Sequence, residues 1–208
     1  MQSNYVIVIF MEIDKALNQL AEIHAHLSRT EFYRGLRALP VALTAFSALF
    51  AAALQSIWLD KNPYYFLMLW VSVAIVNILL TLGLLAHRYY HHQTVLAREK
   101  DHAMFLQFAP TLFAGGLVSL VAGQVGEELI RYLPALWCLI FGLGVFACRP
   151  YLPFKIFWAG TYYLFAATLL FMQATTGDSL QPFSMGLAFG IGQLCIAGIL
   201  YWDLERHS

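Results

Sequence analysis

The stretch YYFLMLWVSVAIVNILLTLGLLA, residues 64–86, decides the fold because it contains no charged side chain. A helix crosses the hydrocarbon core of a bilayer, about 30 Å thick, with about 20 apolar residues, so this stretch is long enough to span a membrane. Five other stretches of the chain have a similar composition. We therefore predict six membrane-spanning helices, at about residues 39–59, 64–86, 104–122, 132–148, 156–174 and 183–202.

The composition supports an integral membrane protein. The chain is 60% hydrophobic and 12% charged, whereas an ordinary soluble domain has about 25% charged residues. The predicted fold class is an all-α integral membrane protein with one six-helix transmembrane domain over residues 38–208. The formal net charge is zero and the basic residues are dispersed along the chain, which argues against a nucleic-acid partner.

The basic residues are distributed unevenly between the two sides of the predicted bundle. One set of alternating connections contains only Lys61 and Arg131. The other set contains Lys15, Arg29, Arg34, Arg37, Arg88, Arg98, Lys100, Arg149, Lys155 and Arg206. Connections rich in Lys and Arg remain on the cytoplasmic side. The sequence therefore predicts cytoplasmic N- and C-termini and a location in a plasma or inner membrane.

Residues 11–37 have the pattern of an amphipathic helix on the cytoplasmic membrane surface. At about 100° per residue, the apolar side chains and His24 form one stripe and the charged side chains lie opposite. The stripe consists of Ile13, Leu17, Leu20, His24 and Leu27. Residues 1–10 precede this pattern, and two hypotheses remain open for them. They form a tail, or they are an upstream extension and translation begins at Met11.

Small residues recur at four-residue spacing on several predicted spans, and such rows let helices approach closely. The rows are Ser47 and Ala51, then Gly115, Ser119 and Gly123, and finally Gly186 and Gly190. We predict that they serve packing inside the bundle, with an interface between two copies of the chain as the alternative. The three cysteines, Cys138, Cys148 and Cys195, are predicted to act as small buried hydrophobic residues.

Histidines next to the membrane are the strongest hint of chemistry. His87 and His91 are four residues apart, so one helix face carries both imidazoles, a spacing that suits a shared metal ion. His24 lies on the apolar stripe of the N-terminal segment, and His102 precedes the third span. The candidate metal-binding residues are therefore His24, His87, His91 and His102. The cofactor would be a metal or a haem, and the favoured alternative is that these are interfacial residues without a cofactor.

The string His87-Arg-Tyr-Tyr-His91-His92 resembles one histidine box of the membrane fatty-acid desaturases and hydroxylases. That resemblance covers six residues and implies iron ligands at a cytoplasmic helix end. The enzymes use several spaced boxes, and this sequence contains no second His-x-x-His-His.

Uncharged polar residues occur within the predicted spans. Embedded amides usually hydrogen-bond between helices, and each contributes about 0.6–2 kcal/mol. The alternative is that Asn77, Gln107 and Gln193 line a cavity for a small molecule. The centres of the predicted spans contain no Asp, Glu, Lys or Arg, which argues against an ion-coupled pump.

No phosphate-binding loop, nucleophile elbow or His-Glu-x-x-His motif is present in the sequence. The leading interpretation is a non-enzymatic polytopic membrane protein with a cytoplasmic face that is regulatory or docks a partner. Two alternatives remain: a metal- or haem-binding protein, with or without redox activity, and a small oligomeric transporter or channel. The expected partners are the lipid bilayer, a cytoplasmic protein and further copies of the chain.

Overall fold

The computed structural model describes residues 38–58, 62–91, 95–176 and 180–206. Within these ranges the chain is helical, with short turns and no strand. The predicted amphipathic segment, residues 11–37, and His24 lie outside the described residues. The division of the chain into a tail, an interfacial helix and a membrane domain therefore stays a prediction.

Seven α-helices make up the described chain. They are α1 Ala38–Trp58, α2 Pro63–His91, α3 Val95–Val125, α4 Glu127–Ile130, α5 Leu133–Ala147, α6 Ile156–Thr176 and α7 Pro182–Leu200. A short 3-10 turn, Arg149–Tyr151, joins α5 to α6, and a π-helical turn, Tyr201–Glu205, follows α7. Both α2 and α7 begin with proline, which the first helical turn tolerates because its N–H would have no intrahelical partner.

Five of the described helices are long and apolar enough to cross a membrane. Five of the six predicted spans agree with these helices to within three residues at each end of the apolar range, and α3 itself extends further back, to Val95. The stretch predicted at 132–148 instead forms α5, a shorter apolar helix of 15 residues. At about 1.5 Å per residue this helix rises only about 22 Å. Pro134 lies in its first turn, and Pro150 and Pro153 follow its last residue, so the apolar pattern does not extend into a longer helix.

Neighbouring helices run antiparallel, as the paired contacts along each interface indicate. On α1 and α2, Ser47 faces Asn77 and Gln55 faces Trp70. On α3 and α5, the pairs are Met104 with Cys148 and Ser119 with Trp137. Between α6 and α7, Lys155 donates a hydrogen bond to Asp203, and the hydroxyl of Tyr162 donates one to the carbonyl oxygen of Leu187. In each pair, the residue number rises on one helix as it falls on the other.

The antiparallel order brings one set of helix ends together. We call this the basic end; it comprises the start of α1, the end of α2, the start of α3, the end of α5, the start of α6 and the end of α7. Arg149, Lys155 and Arg206 lie here, just outside the helices. Arg131 lies at the opposite end, between α4 and α5. The described basic residues are therefore segregated by the fold, as the sequence pattern predicts.

The closest helix contact in the described bundle joins α1 to α7 through small residues. A Cβ added to Gly186 would overlap the Cβ of Ala52, and one added to Gly190 would meet Cδ2 of Leu49 at 2.8 Å. The two glycines are buried, so this predicted small-residue row serves packing inside the bundle. The row on α3 differs, because a Cβ at Gly115 would meet nothing within 4 Å.

Candidate functional site

Polar groups inside the apolar helices form hydrogen bonds between helices. The Oδ1 of Asn77 accepts a hydrogen bond from the hydroxyl of Ser47 at 2.9 Å, so this predicted cavity residue joins α1 to α2. In the same way, Nε1 of Trp137 donates to the hydroxyl of Ser119 at 3.0 Å, between α5 and α3. These contacts agree with the structural use of embedded polar groups.

Gln55 is a polar contact that the sequence reasoning missed. Its side chain is buried, with 7% exposed. Nε1 of Trp70 donates to its Oε1 at 2.8 Å, and its own Nε2 donates to the carbonyl oxygen of Leu180 at 3.0 Å. One amide therefore ties α2 and the α6–α7 connection to α1. An amide inside the apolar stretch 39–59 was the signal that could have identified it.

The other predicted cavity residues lie on separate helices. Gln107 is exposed on α3 and Gln193 is half-buried on α7. The prediction that Asn77, Gln107 and Gln193 line a shared cavity of a transporter or channel stays a prediction.

Two of the candidate metal ligands, His87 and His91, lie on α2, and a third, His102, lies on α3. Because α2 continues to His91, His87 and His91 lie four residues apart on one helix. His102 is exposed on α3, which begins anew at Val95. Among the side chains that the structure describes, no three His, Cys, Asp or Glu lie close enough together to hold a metal. The four-histidine site stays a prediction.

A groove opens at the basic end between the start of α6 and the end of α7. Its volume is about 510 Å³. Trp158 and Tyr162 of α6 and Ile199 of α7 line it, together with Trp202 of the π-helical turn. The tryptophans are 66% and 56% exposed. Cys195 also lines the groove and is exposed, whereas Cys138 and Cys148 are buried as predicted.

Charged groups of both signs stand at the mouth of this groove. Nζ of Lys155 lies 2.6 Å from Oδ1 of Asp203, and the Lys155 side chain is 61% exposed. Nearby, the guanidinium of Arg206 lies 4.9 Å from the ring centroid of Trp202, and that of Arg149 lies 5.0 Å from the ring of Phe154. Cationic and aromatic side chains are therefore interleaved around the groove.

Tyr163 lies behind the groove in the centre of the bundle. Its ring contacts Phe141 and Phe189, with centroid distances of 4.8 and 5.5 Å. The side chain is fully buried, and its hydroxyl has no hydrogen-bond partner among the described residues. A Cβ added to Gly192 would lie 2.5 Å from that hydroxyl, so the absence of a side chain at this position makes room for the tyrosine.

The described chain is an all-helical bundle whose five long apolar helices are those of a polytopic membrane protein. No protein-family model, curated protein or solved structure matches the chain.

Proposed function

We propose that the chain is a non-enzymatic, six-helix polytopic membrane protein whose cytoplasmic face docks a regulatory protein partner. The observation that carries this proposal is the length of α2 and α3. These helices have 29 and 31 residues, which at about 1.5 Å per residue amounts to about 44 and 46 Å. Both exceed the roughly 30 Å thickness of a hydrocarbon core.

The surplus length lies at the basic end. The apolar part of α2 stops at His87 and that of α3 begins at His102, yet α2 continues to His91 and α3 starts at Val95. The added segment of α3 contains charges of both signs, in the order Arg98, Glu99, Lys100 and Asp101. A charged helical segment beyond the bilayer offers a surface to an aqueous partner. In this proposal, the amphipathic segment predicted at 11–37 lies on the same side.

The six-span topology is supported by the direction of α5. This helix runs antiparallel to α3 and is buried at both ends, at Leu133 and at Val145. We count α5 as a crossing although it is short, which brings the total to six. A helix about 8 Å shorter than the hydrocarbon core can be accommodated by local thinning of the bilayer, at a modest cost per ångström. An even number of crossings leaves both ends of the described bundle on one side, which the excess of basic residues makes the cytoplasm.

Site-specific photo-crosslinking in cells tests the docking proposal. A photoreactive amino acid replaces Glu99 in the charged segment of α3, and a matched variant carries it at Glu128, an exposed glutamate at the opposite end. We expect a protein adduct of defined mass from position 99 and not from position 128. The reversal Arg98→Glu should remove that adduct without lowering the abundance of the chain. Adducts only to lipid or to other copies of the chain would contradict the proposal.

A further inference from the structure

We propose that the groove between α6 and α7 binds one phospholipid whose headgroup carries both a phosphate and a primary ammonium group, as in phosphatidylethanolamine. This inference does not depend on the docking proposal. It follows from the shape of the groove, its position at the ends of two apolar helices, and the paired charges at its mouth.

The position of the groove fits a lipid. Lys155 directly precedes the apolar helix that begins at Ile156, and Asp203 is the last residue of the apolar range that begins at Pro182. Both charges therefore stand at the level where two spans end, which is the level of phospholipid headgroups. Exposed tryptophans such as Trp158 and Trp202 are typical of this level.

The inner part of the groove fits an acyl chain. Its lining combines aromatic and aliphatic side chains with two small residues, Ala159 and Gly198. A Cβ added to Gly198 would meet nothing within 4 Å, so the space beside this residue is open. In a membrane, lipid tails are the apolar molecules that surround such a groove.

The charges at the mouth of the groove determine which lipid headgroup fits. Lys155 carries three N–H donors; one bonds to Oδ1 of Asp203, and the other two suit a phosphate. The carboxylate of Asp203 can accept further hydrogen bonds beside the one from Lys155. A primary ammonium offers donors to that carboxylate, whereas the quaternary ammonium of phosphatidylcholine offers none. Phosphatidylglycerol has a phosphate but no cation for Asp203. The Lys155–Asp203 pair is thus complementary to a headgroup of both signs.

The π-helical turn contributes to this arrangement. The backbone N–H of Arg206 donates to the carbonyl oxygen of Tyr201 at 3.0 Å, five residues back. That wider turn alters the angular position of the side chains that follow Leu200. Trp202 and Asp203, both in this turn, line the groove beside Lys155.

Native mass spectrometry of the full chain tests this proposal. The purified protein is equilibrated in micelles with equal amounts of phosphatidylethanolamine, phosphatidylcholine and phosphatidylglycerol of identical acyl chains. We expect one retained lipid per chain, with phosphatidylethanolamine favoured about tenfold over each competitor, which corresponds to about 1.4 kcal/mol. Equal retention of the three lipids, or a preference for phosphatidylglycerol, would overturn the proposal.

Two variants localise the binding. Gly198→Leu places a leucine side chain in the groove and should reduce retention of the lipid about tenfold. Gly116→Leu, at an equally open and exposed position on α3, should leave lipid retention unchanged. Equal retention by these two variants would contradict the assignment to this groove. Asp203→Asn should bring the ratio of phosphatidylethanolamine to phosphatidylcholine close to one. A ratio that stays as high as in the parent would contradict the role of the carboxylate, even if Gly198→Leu failed to fold.

Discussion

Replacing Gly186 with leucine is expected to separate α1 from α7 and to destabilise the bundle by at least about 3 kcal/mol, at the upper end of overpacking costs. The Cβ alone would overlap the Cβ of Ala52. Ala48 and Ala52 are both buried, with 4% and 1% of their surface exposed, so the facing helix has no flexible side chain that could move aside. Thermal unfolding in detergent, followed by size-exclusion chromatography, measures the loss.

A compensating substitution makes this prediction specific. Gly186→Ala should be destabilising by about 1–3 kcal/mol, and adding Ala52→Gly should recover part of that loss because it removes the opposing Cβ. The matched control Gly116→Leu should stay within about 0.5 kcal/mol of the parent. Strictly additive effects of Gly186→Ala and Ala52→Gly would mean that these two residues do not meet.

Truncation of Tyr163 to alanine is expected to cost about 3–5 kcal/mol, as for other large aromatic side chains in well-packed cores. The ring is fully buried and contacts Phe141, Tyr162 and Phe189. Its removal would leave a cavity where α5, α6 and α7 meet. The measurement is the thermal unfolding midpoint of the purified variant in detergent.

Tyr163→Phe should instead stabilise the protein. It keeps the ring and removes only a buried hydroxyl that lacks a partner among the described residues. Burying such a group without a hydrogen bond costs about 1–3 kcal/mol in proteins, so the phenylalanine variant should unfold at a higher temperature than the parent. A lower unfolding temperature would show that the hydroxyl makes a stabilising hydrogen bond.

The helical fold was predictable because length and apolarity set it locally. The helix over residues 64–86 could be predicted from that stretch alone. The extent of α5 was harder to predict, because its composition resembles that of a span, whereas its ends depend on Pro134 in its first turn and on the prolines after Cys148. Tertiary contacts also decide which polar residues matter. Asn77 was identified, but its bond to Ser47 is structural, and Gln55 was missed although it joins three parts of the chain.

The groove at the basic end was not predictable from spacing. Lys155 and Asp203 are 48 residues apart, and only the antiparallel packing of α6 and α7 brings them together. Nothing in the sequence pairs Trp158 with Trp202 either. Histidines drew attention instead because they cluster along the chain. The structure does not describe the side chains of His24 and His91, so the four-histidine site stays a prediction.

In the proposed topology the helices cross a membrane with the basic end in the cytoplasm. Single cysteines introduced into a chain without its native cysteines test it through reaction with a membrane-impermeant maleimide. Glu128→Cys reports on the opposite end and Phe154→Cys on the basic end, and both positions are exposed. We expect labelling at position 128 in intact cells, and labelling at position 154 only after permeabilisation. Labelling at 154 in intact cells, with protection at 128, would contradict it.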